Sequence, residues 1–129
     1  MTLVDSSVWI ELFRRGTALR AASAFDIEEA VICLPVLQEV LQGFRDKDAF
    51  RRARESLLAL PLVEAPLPLD VCERAVELYR VARRQGLTVR SSVDCLIAAC
   101  ALKHDLTVLH RDRDYPALAR VSGLRERRV

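Results

Sequence analysis

Lysine is almost missing from this 129-residue chain, which has two against eighteen arginines. Aromatic residues make up only 5%, and there are four glycines and two histidines. Each shortage closes a class of function. Without a G-x-G-x-x-G or Walker-type loop, the chain offers no phosphate cradle for a nucleotide cofactor. Two histidines and four cysteines (Cys33, Cys72, Cys95, Cys100) with no C-x-x-C pair make neither a zinc framework nor a disulfide scaffold. Cys33, Cys95 and Cys100 lie within apolar runs and read as buried thiols. His104 and His110 have no nucleophile or acidic relay close in sequence, which argues against histidine-based catalysis. Trp9, Phe13, Phe25, Phe44 and Phe50 fall at apolar helix positions and are assigned to core or dimer packing rather than base stacking. Apolar stretches such as Cys95 to Leu102 stop far short of the ~20 residues of a spanning helix. Asp5 interrupts the amino terminus and no basic-then-apolar leader precedes it, so the expectation is a soluble, cytoplasmic protein.

What is present is a core-forming composition, with 51% hydrophobic and 29% charged residues. Residues 1–129 are expected to form one compact domain. Twenty basic against eighteen acidic groups leave a net charge of +2, which by itself announces no polyanionic partner. The preference for arginine suits bidentate phosphate contacts, and a GC-rich genome accounts for it equally well.

Short apolar strands alternate with helices along the chain. Thr2 to Asp5 reads as a strand running into a helix over Ser6 to Arg14, where Val8 and Leu12, and also Trp9 and Phe13, recur at helical spacing. A second helix is expected over Ala18 to Glu28. Ala30 to Leu34 reads as a buried strand, and Pro35 sits where the next helix begins. An amphipathic helix follows over Asp46 to Leu60, then a strand over Pro61 to Ala65. Asp70, three residues before Glu73, is expected to cap a long helix ending at Gln85 and Gly86. Ser91 or Ser92 caps the following helix. Thr107 to His110 is a fourth strand, followed by a helical turn near Pro116 to Ala119 and a final strand near Val121 to Leu124. This alternation predicts a three-layer α/β/α sandwich around a central, mainly parallel sheet.

In such a sheet, ligands gather beyond the carboxyl ends of the strands. Asp5 ends the first strand, and Asp112 follows the fourth, with Asp114 two residues on. Glu39 lies at the margin of the apolar face of the helix after strand two, and Asp94 in the first turn of the helix opening near Ser91. Singly, each has an ordinary structural role as a cap, a turn or a solvated residue. Converging on one edge, they repel one another unless protons or cations neutralise them. Oxygen ligands of this kind suit Mg²⁺ or Mn²⁺, which activate water and offset charge on a scissile phosphate. Setting the four acids Asp5, Glu39, Asp94 and Asp112 aside leaves 20 positive against 14 negative groups, a positive body around a negative pocket. Arg90, Arg111 and Arg113 flank this edge and are candidates for phosphate contact. Arg125, Arg127 and Arg128 form a basic tail that either follows a polyanionic strand or stays disordered.

The pattern resembles a PIN domain of the VapC type, the toxin half of a VapBC toxin–antitoxin pair. Val4-Asp5-Ser6-Ser7-Val8-Trp9-Ile10-Glu11 is similar to the family's first motif, and Leu34-Pro35-Val36-Leu37-Gln38-Glu39-Val40 to its second. Val93-Asp94-Cys95-Leu96-Ile97-Ala98-Ala99 is similar to the third, and His110-Arg111-Asp112-Arg113-Asp114-Tyr115 to the fourth. The similarity runs from Leu3 to about Leu124. It implies a Mg²⁺- or Mn²⁺-dependent endoribonuclease that hydrolyses RNA with metal-activated water, leaves 5′-phosphate and 3′-hydroxyl ends, and inhibits translation or growth. It assigns the acidic, metal-binding centre to Asp5, Glu39, Asp94 and Asp112. Asp114 is a secondary candidate, and Ser6 a hydrogen-bonding partner of the centre. Tyr115 stands where the family often has Phe, a change that keeps the ring. The resemblance also implies a homodimer, a VapB-like antitoxin covering the pocket, and promoter DNA bound only through that antitoxin.

Overall fold

A computed structural model describes residues 1–129. Five strands form one sheet: β1 Thr2–Val4, β2 Ala30–Cys33, β3 Leu62–Val63, β4 Thr107–His110 and β5 Arg125–Arg128. Their order is β3-β2-β1-β4-β5, and every neighbouring pair is parallel. Seven helices accompany them: α1 Ser6–Phe13, α2 Ala21–Ala24, α3 Leu34–Leu41, α4 Lys47–Leu58, α5 Leu69–Arg84, α6 Ser92–Lys103 and α7 Asp114–Arg120. This is the α/β class expected from the alternation of short apolar strands with helices.

The strand order positions the site. From β1 the chain steps outward to β2 and β3, then returns to lay β4 on the opposite side of β1. The reversal leaves a crevice beyond the carboxyl ends of β1 and β4, which in an open parallel sheet is where ligands bind. Asp5 directly follows β1, and Asp112 lies two residues past β4. Leu3, Val4, Ile32, Val108 and Leu109 in the central strands are wholly buried within a core of 30 residues. Trp9 anchors α1 to that core by donating its indole N–H to the Val4 carbonyl at 3.1 Å. No helix is long and apolar enough to cross a membrane.

Helix ends follow local chemistry. Asp46 caps α4, its carboxylate accepting from the Ala49 N–H at 2.8 Å. After α5, Gly86 takes φ +74°, and the bonds from Leu87 N–H to Ala82 O and Gly86 N–H to Arg83 O close a Schellman motif. Asp70, expected as a cap, lies inside α5, which opens after Pro68 with no side-chain cap; its carboxylate pairs with Lys103 Nζ at 2.8 Å instead.

Three expected segments differ. The helix over Ala18 to Glu28 is a four-residue turn followed by a 3-10 turn at Ile27–Glu29. Phe25 leaves the helix in an extended conformation, and its ring packs edge-on against Trp9 at 5.4 Å, so tertiary burial overrides local propensity. β3 shrinks to two residues at the sheet edge. The last strand is not the apolar Val121 to Leu124 but the charged Arg125–Arg128, paired along β4 from Thr107↔Arg125 to His110↔Arg128. An edge strand needs only one hydrogen-bonded side, and charge on it blocks further pairing. The supposed tail is therefore ordered sheet. The free thiols Cys33, Cys95 and Cys100 are buried, as their apolar surroundings suggest, and Cys72 is half-buried.

Candidate metal centre

Four segments far apart in sequence deliver the acids. Asp5 leaves β1 in an extended conformation and caps α1, with its Oδ2 accepting from the Ser7 N–H at 3.0 Å and from the Ser7 hydroxyl. The N-cap role and membership of the acidic cluster are thus compatible. Glu39 projects from the middle of α3, its Oε1 held by the Ser6 hydroxyl at 2.7 Å. Asp94 lies in the first turn of α6 and is only 3% exposed. Asp112 precedes α7 and accepts from the Asp114 N–H at 3.0 Å.

Carboxylate oxygens of Asp5, Glu39 and Asp94 lie within 4.8 Å of one another, and so do those of Asp94, Asp112 and Asp114. Asp94 belongs to both groups and is the hub. Its Oδ2 is buried with no hydrogen-bond partner. An orphaned buried carboxylate oxygen is costly and calls for a ligand. An all-oxygen donor set around it fits a hard divalent cation such as Mg²⁺ or Mn²⁺, not a soft one.

Without such a charge the cluster must hold protons. Burial, reinforced by Asp114, Asp5 and Asp112, pushes the Asp94 carboxyl up to about 9. Burial also raises Glu39, helped by the charges of Asp5 and Asp112 and opposed by the Ser6 hydrogen bond.

Asp114 is more deeply tied than its neighbours. It is 2% exposed, and its carboxylate accepts the backbone N–H groups of Arg90 and Ser91 at 2.9–3.0 Å. It therefore clamps the segment before α6 onto the loop after β4 and sets the position of Asp94.

Sequence reasoning missed two contributors. The Tyr115 hydroxyl, wholly buried, donates to Asp5 Oδ1 at 2.5 Å and lies 3.4 Å from Asp94 Oδ1. Burial raises its phenol well above the usual range, keeping it a donor. Far from being only a retained ring, Tyr115 bridges two of the acids; the oxygen that distinguishes Tyr from Phe was the available signal. The second is the pair His110–Glu126. Buried His110 contacts Glu126 Oε2 through Nε2 at 2.5 Å, while its Nδ1 accepts the Asp112 N–H at 3.1 Å. With Nδ1 accepting, a neutral ring carries its proton on Nε2 and donates it to Glu126. An acidic partner for His110 does exist, brought by β5 from sixteen residues away.

A cleft of about 330 Å³ adjoins the centre, lined by Asp112 and Asp114 and by Arg90, Arg111, Arg113 and Arg128. The three arginines singled out from the sequence thus share one wall, and β5 adds a fourth.

Comparison with known proteins agrees with this geometry. The family model for the PIN domain matches residues 2–122. Ribonuclease VapC11 of Mycobacterium tuberculosis is 36% identical over 129 residues, covering 96% of either chain. The structure of VapBC-5, a toxin–antitoxin system of Mycobacterium tuberculosis, superposes with a TM-score of 0.75 at 22% identity, covering 99% of this chain and 98% of that one. VapBC2 of Rickettsia felis, bound to a DNA fragment from its promoter, gives 0.75 at 14% identity, with 99% and 98% covered. A parallel sheet whose switch point gathers acids from four motifs, matched along nearly its whole length, places this chain in the PIN-domain family and, within it, among the VapC ribonucleases.

Proposed function

We propose that the chain is a Mg²⁺- or Mn²⁺-dependent endoribonuclease and the toxin of a type II toxin–antitoxin pair, acting in the cytoplasm to inhibit translation or growth. The observation that carries this reading is Asp94: a buried carboxylate at the hub of two acid groups, with one oxygen left without a partner. Asp5, Glu39, Asp94 and Asp112 are the residues that would hold the ion, with Asp5 and Asp94 as the direct ligands and Asp114 in support. When bound, the ion supplies positive charge against the scissile phosphate and acidity to an attacking water.

The protein's own groups do the rest. Ser6 holds the half-buried Glu39 carboxylate within reach of Asp5 and Asp94. Tyr115 holds Asp5 Oδ1 and Ser7 holds its Oδ2, so both oxygens of that carboxylate are fixed in place. His110 and Asp114 pin the loop that carries Asp112. Such preorganisation keeps the carboxylates in place while charge develops on the phosphate. Arg90, Arg111 and Arg113 neutralise the flanking RNA backbone. Hydrolysis is expected to leave 5′-phosphate and 3′-hydroxyl ends.

A homodimer is supported by α5, which is apolar on two faces. Val71, Ala75, Leu78 and Ala82 are buried, while Leu69, Cys72, Val76 and Tyr79 form a second stripe at three- and four-residue spacing. Leu69 and Val76 are 74% and 58% exposed, which favours cover by a second copy. A VapB-like antitoxin is the expected second partner, with promoter DNA reached through it. The PIN domain as a single unit over residues 1–129 is part of the same proposal.

The test is induction of the gene with and without a small co-expressed neighbouring protein. Growth arrest relieved by that neighbour, and absent with Asp5→Asn, supports the reading; arrest that persists with Asp5→Asn contradicts it.

A further inference from the structure

The terminal run Arg125-Glu126-Arg127-Arg128 alternates faces along β5, and its arginines have different fates. Arg125 bonds the Asp105 carbonyl at 2.6 Å and its carboxylate at 3.2 Å. Arg127 donates to the Ala24 carbonyl at 2.9 Å. Both are structural ties. Arg128 has no such tie. The register His110↔Arg128 sets it at the carboxyl end of the sheet, one strand from the acidic centre, where it lines the cleft with Arg90, Arg111 and Arg113.

That cleft has no hydrophobic residue in its wall. Its four guanidinium groups form no ion pair within 4.0 Å and no side-chain hydrogen bond, although two carboxylates stand beside them. The reason is geometric. The Asp114 carboxylate is taken up by the N–H groups of Arg90 and Ser91, and Asp112 faces the Asp114 N–H and the cluster around Asp94. Four like charges around one cavity repel one another, and an anion relieves that repulsion. Guanidinium forks suit phosphate oxygens.

We propose that this cleft is the seat of a phosphate neighbouring the scissile one on the RNA strand, and that Arg128 is a substrate-binding residue contributed by β5. The inference rests on the ribonuclease reading and deepens it. Because Asp112 and Asp114 form a wall common to the cleft and the acidic centre, a chain with one phosphate at the centre lays its next one among the arginines. The cleft fixes where along the strand the enzyme sits, and it reads the backbone rather than base identity.

The experiment uses the full chain and a fluorescent single-stranded RNA oligonucleotide, with anisotropy followed over a KCl series in EDTA, and cleavage followed in parallel with Mg²⁺ or Mn²⁺. Variants are Arg128→Gln, Arg113→Gln, and Arg52→Gln on the exposed face of α4 as control. Arg128→Gln and Arg113→Gln are each expected to raise Kd up to about fivefold and to flatten the log Kd against log salt slope by about 0.7, the value for one lost contact to a single strand. Arg52→Gln leaves both readouts at wild-type values, and melting curves check that all variants fold. If the wild-type protein cuts RNA while Arg128→Gln keeps the wild-type Kd and slope, the cleft assignment falls and the ribonuclease reading stands. If Arg128→Gln keeps its affinity for RNA but loses affinity for polyglutamate, the cleft is a seat for an acidic protein segment, and the proposal is likewise overturned. If the wild-type protein neither binds nor cuts RNA, both readings fail together.

Discussion

Replacing Asp94 with Asn probes the centre without enzymology. In the metal-free protein the Asp94 carboxyl titrates near 9, against 3.8 when exposed, with burial the largest cause. A carboxyl raised in the folded state contributes stability below its unfolded pKa and loses it as pH climbs toward the folded value. At neutral pH the unfolded chain ionises Asp94 while the folded one protonates it. The difference sets an unscreened cost of about 4 kcal/mol. Residual solvation and relaxation of the cluster reduce this to about 1–3 kcal/mol. Asn has the same shape and no charge, so Asp94→Asn is expected to raise Tm in EDTA at pH 7–8 by roughly 3–10 °C. The gain shrinks as pH falls and vanishes only well below the exposed value of 3.8, where the unfolded chain is protonated as well. Mn²⁺ reverses the order: an ion at a hundred times its Kd adds about 2.7 kcal/mol to the wild-type protein and much less to the variant. Differential scanning fluorimetry over pH, with and without Mn²⁺, reads all of this. An Asn variant no more stable than wild type at pH 8, or a gain that persists unchanged to pH 4, refutes the reasoning.

Tyr115→Phe removes only the hydroxyl held by Asp5 and is expected to weaken Mn²⁺ binding by about tenfold in calorimetry, one charge-assisted hydrogen bond; unchanged affinity contradicts a positioning role. Ser6→Ala frees the Glu39 carboxylate and should lower kcat about three- to tenfold with little change in RNA KM, as for loss of one neutral-to-charged hydrogen bond. Glu126→Gln weakens the anchor of His110 and is expected to cost about 1–2 kcal/mol in urea melts; a cost near zero shows that β5 does not hold the Asp112 loop.

The alternation of strands and helices was legible because β2 and the centres of β1 and β4 are buried and read as short apolar runs. The four acids were legible for a related reason: Asp5 and Asp112 follow strands, Asp94 opens a helix, and Glu39 lies on the helix that follows β2, all at the same sheet edge. What escaped the sequence depends on contacts between distant segments. Phe25 breaks its helix to reach Trp9, and Asp70 forsakes capping for Lys103, a residue 33 positions on. β5 escaped because its hydropathy says tail. Only the ladder to β4 makes Arg125–Arg128 a strand, which then carries Glu126 to His110 and Arg128 to the cleft. Tyr115 was visible as a residue but not as a bridge, because its bond to Asp5 spans 110 positions.

The central claim is that one cluster of acids, charged with a divalent ion, hydrolyses RNA. Its most direct test is incubation of the purified protein with end-labelled RNA, with Mg²⁺ or Mn²⁺ and then with EDTA, alongside Asp5→Asn. The account predicts internal cuts bearing 5′-phosphates that require the ion and vanish with the variant. Equal cutting in EDTA, or undiminished cutting by Asp5→Asn, contradicts it.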